Sequence, residues 1–175
     1  GVGLNVLQGL MLANAYPIVG VDIDDAKLQQ AIVFGATSTF NSRNGTCQNP
    51  HQAHISQDEN VFPLNFFDAA VDTTGKPEVI EWAWKIAKKV CLIAQVANHQ
   101  SVTLQTLPMH SGKAIIGSDG GSTDPTTDIP RYLKLYKAGR LNLHGLITHR
   151  TGLAGINDMV DLIRAGKAGR SVIEM

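Results

Sequence analysis

The sequence holds only two cysteines, Cys47 and Cys91, and no C-x-x-C pair. This excludes a disulfide framework and a cysteine-paired zinc site, and a reducing cytoplasm is the expected compartment. Charge of either sign is not in excess: fifteen Lys and Arg face fifteen Asp and Glu, so the balance encodes no surface for nucleic acid or an anionic membrane. No apolar run reaches about 18 residues, so no membrane-spanning helix is expected, and no cationic export signal is visible. Repeats and low-complexity segments are absent. So is the G-x-S-x-G frame that would make Ser111 or Ser118 a nucleophile. His110, His144 and His149 stand alone, without an acid or nucleophile at a telling spacing, and read as structural or surface histidines.

What remains is a chain of 175 residues and 43% apolar content, enough for one domain or for one domain and part of another. Residues 1–22, GVGLNVLQGLMLANAYPIVGVD, organise it. They read as a glycine turn, a helix with Leu4, Leu7, Leu10 and Met11 on one face, a stop at Pro17, and a buried strand Ile18–Val21 ending at Asp22. In a dinucleotide-binding βαβ unit such glycines let the backbone approach a pyrophosphate at a helix N-terminus, and an acid about 20 residues on takes the ribose hydroxyls. Gly1 and Gly3 are therefore candidates for phosphate and Asp22 for ribose, where its charge would repel a 2′-phosphate and favour NAD over NADP. Lys27 adds a cation one turn into the next helix. The chain begins inside the motif, since no strand precedes Gly1. The expectation is the C-terminal part of a longer enzyme.

Further along, Asp24 or Asp25 caps a helix carrying Leu28, Ala31 and Ile32, with Gly35 past its end, and Thr37–Phe40 reads as a short strand. Residues 41–65 are polar and aperiodic and read as a loop with at most a short helix. Its His51 and His54 lack a third ligand for a metal, and its Asn44-Gly45-Thr46 sequon has no meaning without secretion. Strands are expected over residues 69–72, 90–94, 101–104 and 113–117, with Cys91 buried, and a helix over 77–87 with Pro77 in its first turn. A helix capped by Thr127 or Asp128, another over 155–165, and a final strand over 171–174 complete the chain. Thr73, Thr74 and Gly75 follow one strand, and Ala94 and Gln95 another. In open α/β sheets ligands lie across the carboxyl ends of strands, so both turns are candidates for the nicotinamide half. The strand–helix alternation over residues 1–117 argues a doubly wound α/β fold of Rossmann type.

In order, GVGLNVLQG, VGVDIDDAKLQQAIVFGAT, DTTGKPEVI, GLITHR and GRSVIEM resemble the zinc-dependent alcohol dehydrogenases of the medium-chain dehydrogenase/reductase superfamily. The resemblance implies a Rossmann coenzyme domain over residues 1–117, truncated before its first strand, and a segment 118–175 that would complete a catalytic domain lying outside this chain. It implies that Val2 and Gly3 lie under the NAD pyrophosphate, which pairs with Arg170. It sets Asp22 and Lys27 on the adenosine ribose and Ile23 against the adenine. Thr73 and Thr74 match a turn near the coenzyme ribose, Ile93, Ala94 and Gln95 the strand end beside the nicotinamide, and Ser118 and Asp119 the loop at the carboxamide. Ala94 stands where the family has glycine and Gln95 where it has an apolar residue.

The family's zinc ligands, two cysteines and a histidine, belong to the part not present, so no catalytic or metal residue is assigned here. The substrate implied is an alcohol or aldehyde, and the assembly a homodimer or homotetramer of the full-length protein, with residues 101–117 matching the dimerising strands. The alternatives are a zinc-free quinone or enoyl reductase, which would favour NADPH against Asp22, a non-catalytic NAD-binding module, and a methyltransferase, against which GLITHR and the closing strand argue.

The absent strand would lie at the centre of a 3-2-1-4-5-6 sheet, leaving two edges unpaired. The 175-residue chain by itself is therefore expected to be poorly stable and to bind NAD weakly. A cooperative thermal melt together with micromolar NADH binding by the isolated chain would refute this.

Overall fold

The computed structural model describes residues 1–48, 62–97 and 99–175. The fold is mixed α/β with mainly parallel pairing, as the strand–helix alternation predicts. The described residues form two compact units, one made by the chain through residue 48 with everything from Thr126 onward, the other by the stretch between, ending at Pro125.

In the first unit, α1 (Val2–Leu12) leads to β1 (Val19–Asp22), α2 (Asp25–Val33) and β2 (Ser38–Asn41). Strand β1 runs parallel to β2, with Val19 opposite Ser38 and Asp22 opposite Asn41. Leu7 of α1, Ile18, Ala31 of α2 and Ala36 form the core, with Leu4 and Leu10 packed against it, so three of the four residues of the apolar face read from the sequence turn inward while Met11 is 45% exposed. Two glycines make this packing possible. At Gly20 an added β-carbon would meet Ala31 Cβ at 3.0 Å and Ala36 Cβ at 3.6 Å, so helix and strand approach only because the side chain is missing. At Gly35, φ is +109° and an added β-carbon would lie 3.2 Å from Met11, so both backbone sign and space demand glycine after α2.

The expected loop after β2 instead contains a strand, β3 (Thr46–Gln48), antiparallel to β2. Asn44-Gly45 makes its turn, with Asn44 Oδ1 accepting from Thr46 N at 3.0 Å and from Thr46 Oγ1 at 2.6 Å, and Gly45 at φ +68°. Asn-Gly is a hairpin signal that outweighs the polarity of its surroundings. The Cys47 thiol donates to the Thr39 carbonyl at 3.2 Å, and burial pushes its pKa up. His51 and His54 lie outside the described residues.

The same unit takes up α4 (Pro125–Lys137), β7 (Ile147–Gly152), α5 (Ile156–Arg164) and β8 (Arg170–Glu174), with β7 and β8 parallel. Helix α4 begins at Pro125, ahead of the expected cap at Thr127 or Asp128, because Pro125 takes the first turn, where its missing N–H is harmless, and Pro130 sits inside the helix. A buried amide secures the stretch before β7. Gln8, 2% exposed, accepts from Asn142 N at 2.6 Å and donates to the Asn142 carbonyl at 3.4 Å, satisfying a polar side chain where water is excluded.

The second unit is an all-parallel sheet of β4 (Phe67–Asp72), β5 (Ala87–Leu92) and β6 (Ala114–Gly117), with α3 (Pro77–Ile86) crossing between β4 and β5. Ala83, Trp84, Ala87 and Val90 form its core. Strand β5 ends at Leu92, two residues short of the expected end, and Cys91 is half-buried rather than a core residue. The strand expected over 101–104 is not formed. Side chains of α3 capture the segment instead: Thr103 N donates to Glu81 Oε1 at 2.8 Å, and Trp84 Nε1 donates to the Gln105 carbonyl at 3.1 Å. Among the described residues no helix is long and apolar enough to cross a membrane.

The contact at Gly20 can be tested by stability. Gly20→Val is expected to lose about 1–3 kcal/mol through overpacking, read as a lower urea midpoint, and Ala31→Gly in the same chain to recover part of it. An unchanged midpoint in the single variant would show that α2 yields freely.

Candidate functional site

In the first unit the candidate residues gather around the start of α1. Gly1 caps the helix without a side-chain hydrogen bond, and no acid lies in the first turn. Among the described residues the N–H groups of that turn thus receive no side-chain cap, and they carry the positive end of the helix dipole. Val2 is exposed and Gly3 half-buried. The charges of Arg170, at the start of β8, and of Lys27, in the first turn of α2, both act on the Gly1 nitrogen. Asp22, of opposite sign, acts at the same point. Neither Arg170 nor Lys27 has a carboxylate within ion-pair distance among the described residues. Two unneutralised cations beside an uncapped helix N-terminus suit an anion.

Asp22 is held by its own loop. Its Oδ1 accepts from Ile23 N at 2.8 Å and from Asp24 N at 3.1 Å, while Oδ2 has no partner among the described residues. Asp24 then caps α2 by accepting from Ala26 N at 2.9 Å. Asn41, 3% exposed, donates to Asp25 Oδ1 at 2.7 Å and so ties the end of β2 to the same helix start. Ile23, next in the chain, is 45% exposed.

In the second unit the carboxyl ends of β4, β5 and β6 are level, with Asp72 opposite Leu92 and Leu92 opposite Gly117. Two further backbone bonds join the turns beyond them: Ile93 N donates to the Asp72 carbonyl at 2.9 Å and Ser118 N to the Leu92 carbonyl at 2.8 Å. Thr73 and Thr74, Ile93 to Gln95, and Ser118 with Asp119 thus lie on one edge of one sheet. Gly75 has φ +66°, and an added β-carbon would overlap the Gln95 carbonyl, so the first two turns come this close only because the residue is glycine.

The residue that sequence reasoning passed over is Asp72. It is 3% exposed, and its carboxylate accepts three hydrogen bonds: from Thr74 N at 3.1 Å, Thr74 Oγ1 at 2.7 Å and Gly75 N at 2.9 Å. The signal was present as Asp-x-Thr-Gly directly after an apolar strand, a pattern suited to a side chain that builds a turn on its own backbone. The histidines do not join either cluster. His144 Nε2 pairs with Tyr136 Oη at 2.6 Å and His149 Nδ1 with Thr148 Oγ1 at 2.8 Å, while His110 sits in an exposed turn. Among the described residues no three His, Cys, Asp or Glu side chains are grouped to hold a metal ion.

Residues 1–138 match the family model described as zinc-binding dehydrogenase. The chain is 32% identical over 178 residues to an S-(hydroxymethyl)glutathione dehydrogenase of Paracoccus denitrificans, covering 99% of this chain and 47% of that protein. It is 30% identical over 177 residues to the alcohol dehydrogenase class-2 isozyme 2 of Oryctolagus cuniculus, covering 99% and 45%. Among solved structures, the benzyl alcohol dehydrogenase of Acinetobacter calcoaceticus superposes with a TM-score of 0.82 at 24% identity, covering 99% of this chain and 47% of that one. The chain thus spans about half the length of the curated relatives it matches.

Anion binding at the start of α1 has a direct test. Arg170→Ala is expected to weaken binding of inorganic pyrophosphate about tenfold, the scale of one lost hydrogen bond to a charged group. Isothermal titration at two salt concentrations measures it, and an unchanged affinity removes the anion reading.

Proposed function

The chain belongs to the zinc-binding dehydrogenase family, and from that premise we propose that it is the coenzyme-binding portion of an NAD-dependent alcohol dehydrogenase. The observation that carries the reading is the convergence of Arg170 and Lys27 on the uncapped start of α1, together with an Asp22 carboxylate that keeps one oxygen free. Phosphate oxygens accept from the α1 N–H groups and from Arg170. The free Asp22 oxygen accepts from ribose hydroxyls, Lys27 adds its charge beside them, and Ile23 lies against the adenine. The turns carrying Thr73, Thr74, Ile93, Ala94, Gln95, Ser118 and Asp119 take the nicotinamide half.

NAD, when bound, supplies the hydride acceptor. Zinc is assigned to the part of the relatives' length that this chain does not span. The chain's own work is to bind and orient the coenzyme. The substrate class is a small alcohol or aldehyde, in keeping with the names of the relatives. The full-length protein is a cytoplasmic homodimer or homotetramer, a location supported by two free thiols.

The charge on Asp22 makes coenzyme choice the decisive experiment. The natural polypeptide carrying these residues is expected to bind NADH more tightly than NADPH. Asp22→Ala is expected to weaken NADH about tenfold through loss of hydrogen bonds to a charged acceptor, and to narrow the preference. A wild-type protein that binds NADPH as well as NADH would sink the reading.

A further inference from the structure

Asp72 is almost fully buried and carries a charge-bearing group into the end of a parallel strand, where an apolar residue would pack at least as well. Each of its bonds goes to the turn that follows. Thr74 N and Thr74 Oγ1 donate to Oδ1, and Gly75 N donates to Oδ2. Thr74 Oγ1 also accepts from Lys76 N at 3.1 Å. The Thr74 hydroxyl thus spends its one proton on Asp72 and takes a backbone donor from the start of α3. Thr73, half-buried, has no side-chain partner among the described residues. The two threonines are chemically alike in sequence and unlike in the structure, one committed to the protein and one free.

The same bonds set the depth of the turn. With Gly75 N drawn to Asp72, the Gly75 α-carbon lies so near the Gln95 carbonyl that no β-carbon fits. Asp72 contributes on its backbone side as well, its carbonyl accepting from Ile93 N. One residue therefore holds both turns, 73–75 and 93–95, in register at the sheet edge.

We propose that Asp72 is the positioning residue of the nicotinamide half of the coenzyme site, fixing the 73–75 turn so that Thr73, and not Thr74, offers its hydroxyl to the coenzyme. The inference rests on the coenzyme reading above. An amide cannot replace the carboxylate here, because its NH2 group would face N–H or O–H donors.

The test uses the natural polypeptide and two probes, NADH and AMP, since AMP carries only the adenosine half. Asp72→Asn is expected to weaken NADH about tenfold while AMP affinity stays within about twofold of wild type. Thr74→Val is expected to weaken NADH in the same direction, and Thr74→Ser, which keeps the hydroxyl, to bind like wild type. Unchanged NADH affinity in Asp72→Asn, or equal loss of NADH and AMP, overturns the inference. If Asp72→Asn does not fold, the threonine pair decides: equal NADH affinity in Thr74→Val and Thr74→Ser overturns it. A wild-type protein that binds neither probe overturns the coenzyme reading itself, an outcome distinct from wild-type binding with an indifferent Asp72.

Discussion

When a parallel strand ends, the N–H groups that follow it lose their ladder partners and must find other acceptors. In this chain aspartate supplies them. Asp22 closes β1 and takes the N–H groups of Ile23 and Asp24 on one oxygen. Asp72 closes β4 and takes those of Thr74 and Gly75, with the Thr74 hydroxyl, on both. The two acids differ in what is left over. Asp22 is half-buried and retains a free oxygen, whereas Asp72 is 3% exposed and fully engaged. The same device therefore yields a group able to meet a ligand in one unit and a group that shapes a turn in the other.

Around these acids the backbone is brought close by what side chains omit. Gly20 admits Ala31 and Ala36 against β1, and Gly75 admits the Gln95 carbonyl beside β4. Close approach of this kind is rigid, because no rotamer change relieves a backbone contact. It gives the strand-end turns a fixed geometry, which a polar site needs if its donors and acceptors are to meet a ligand without reorganising. The buried Gln8–Asn142 pair plays a comparable part in the first unit, joining α1 to the stretch before β7 through a fully satisfied amide.

Charge is distributed with the same economy. The chain is neutral overall, yet Arg170 and Lys27 both act at the start of α1, with Asp22 opposing them there and no ion pair to either cation among the described residues. Among the described residues the ion pairs that do form, such as Lys88 with Asp68 and Arg150 with Glu174, are exposed and involve neither Arg170 nor Lys27. Surface pairs of that kind contribute little to stability. The two cations at a helix N-terminus are the feature on which the proposed nucleotide binding rests.

Much of this was legible from local order. The apolar period of α1, the stop at Pro17, Asp24 as a cap, Gly35 beyond α2, and the strand endings at Asp22 and Asp72 all depend on neighbours a few residues apart, and short-range sterics and hydrogen bonding decide them. The Asn44-Gly45 hairpin was legible too, though a polar surrounding masked it. Tertiary structure alone decided the remainder. Thr103 and Gln105 belong to α3 side chains rather than to a sheet, because Glu81 and Trp84, some 20 positions earlier, offer better partners than any strand. The residues around Arg170 do not mark it, and only the family resemblance does; in the fold its charge, on β8, acts on a helix start at the other end of the chain. The division between Thr73 and Thr74, by contrast, is local, since Asp72 engages Thr74 two residues on. A sequence specifies which groups are available, but only the folded chain determines which of them have already been paired.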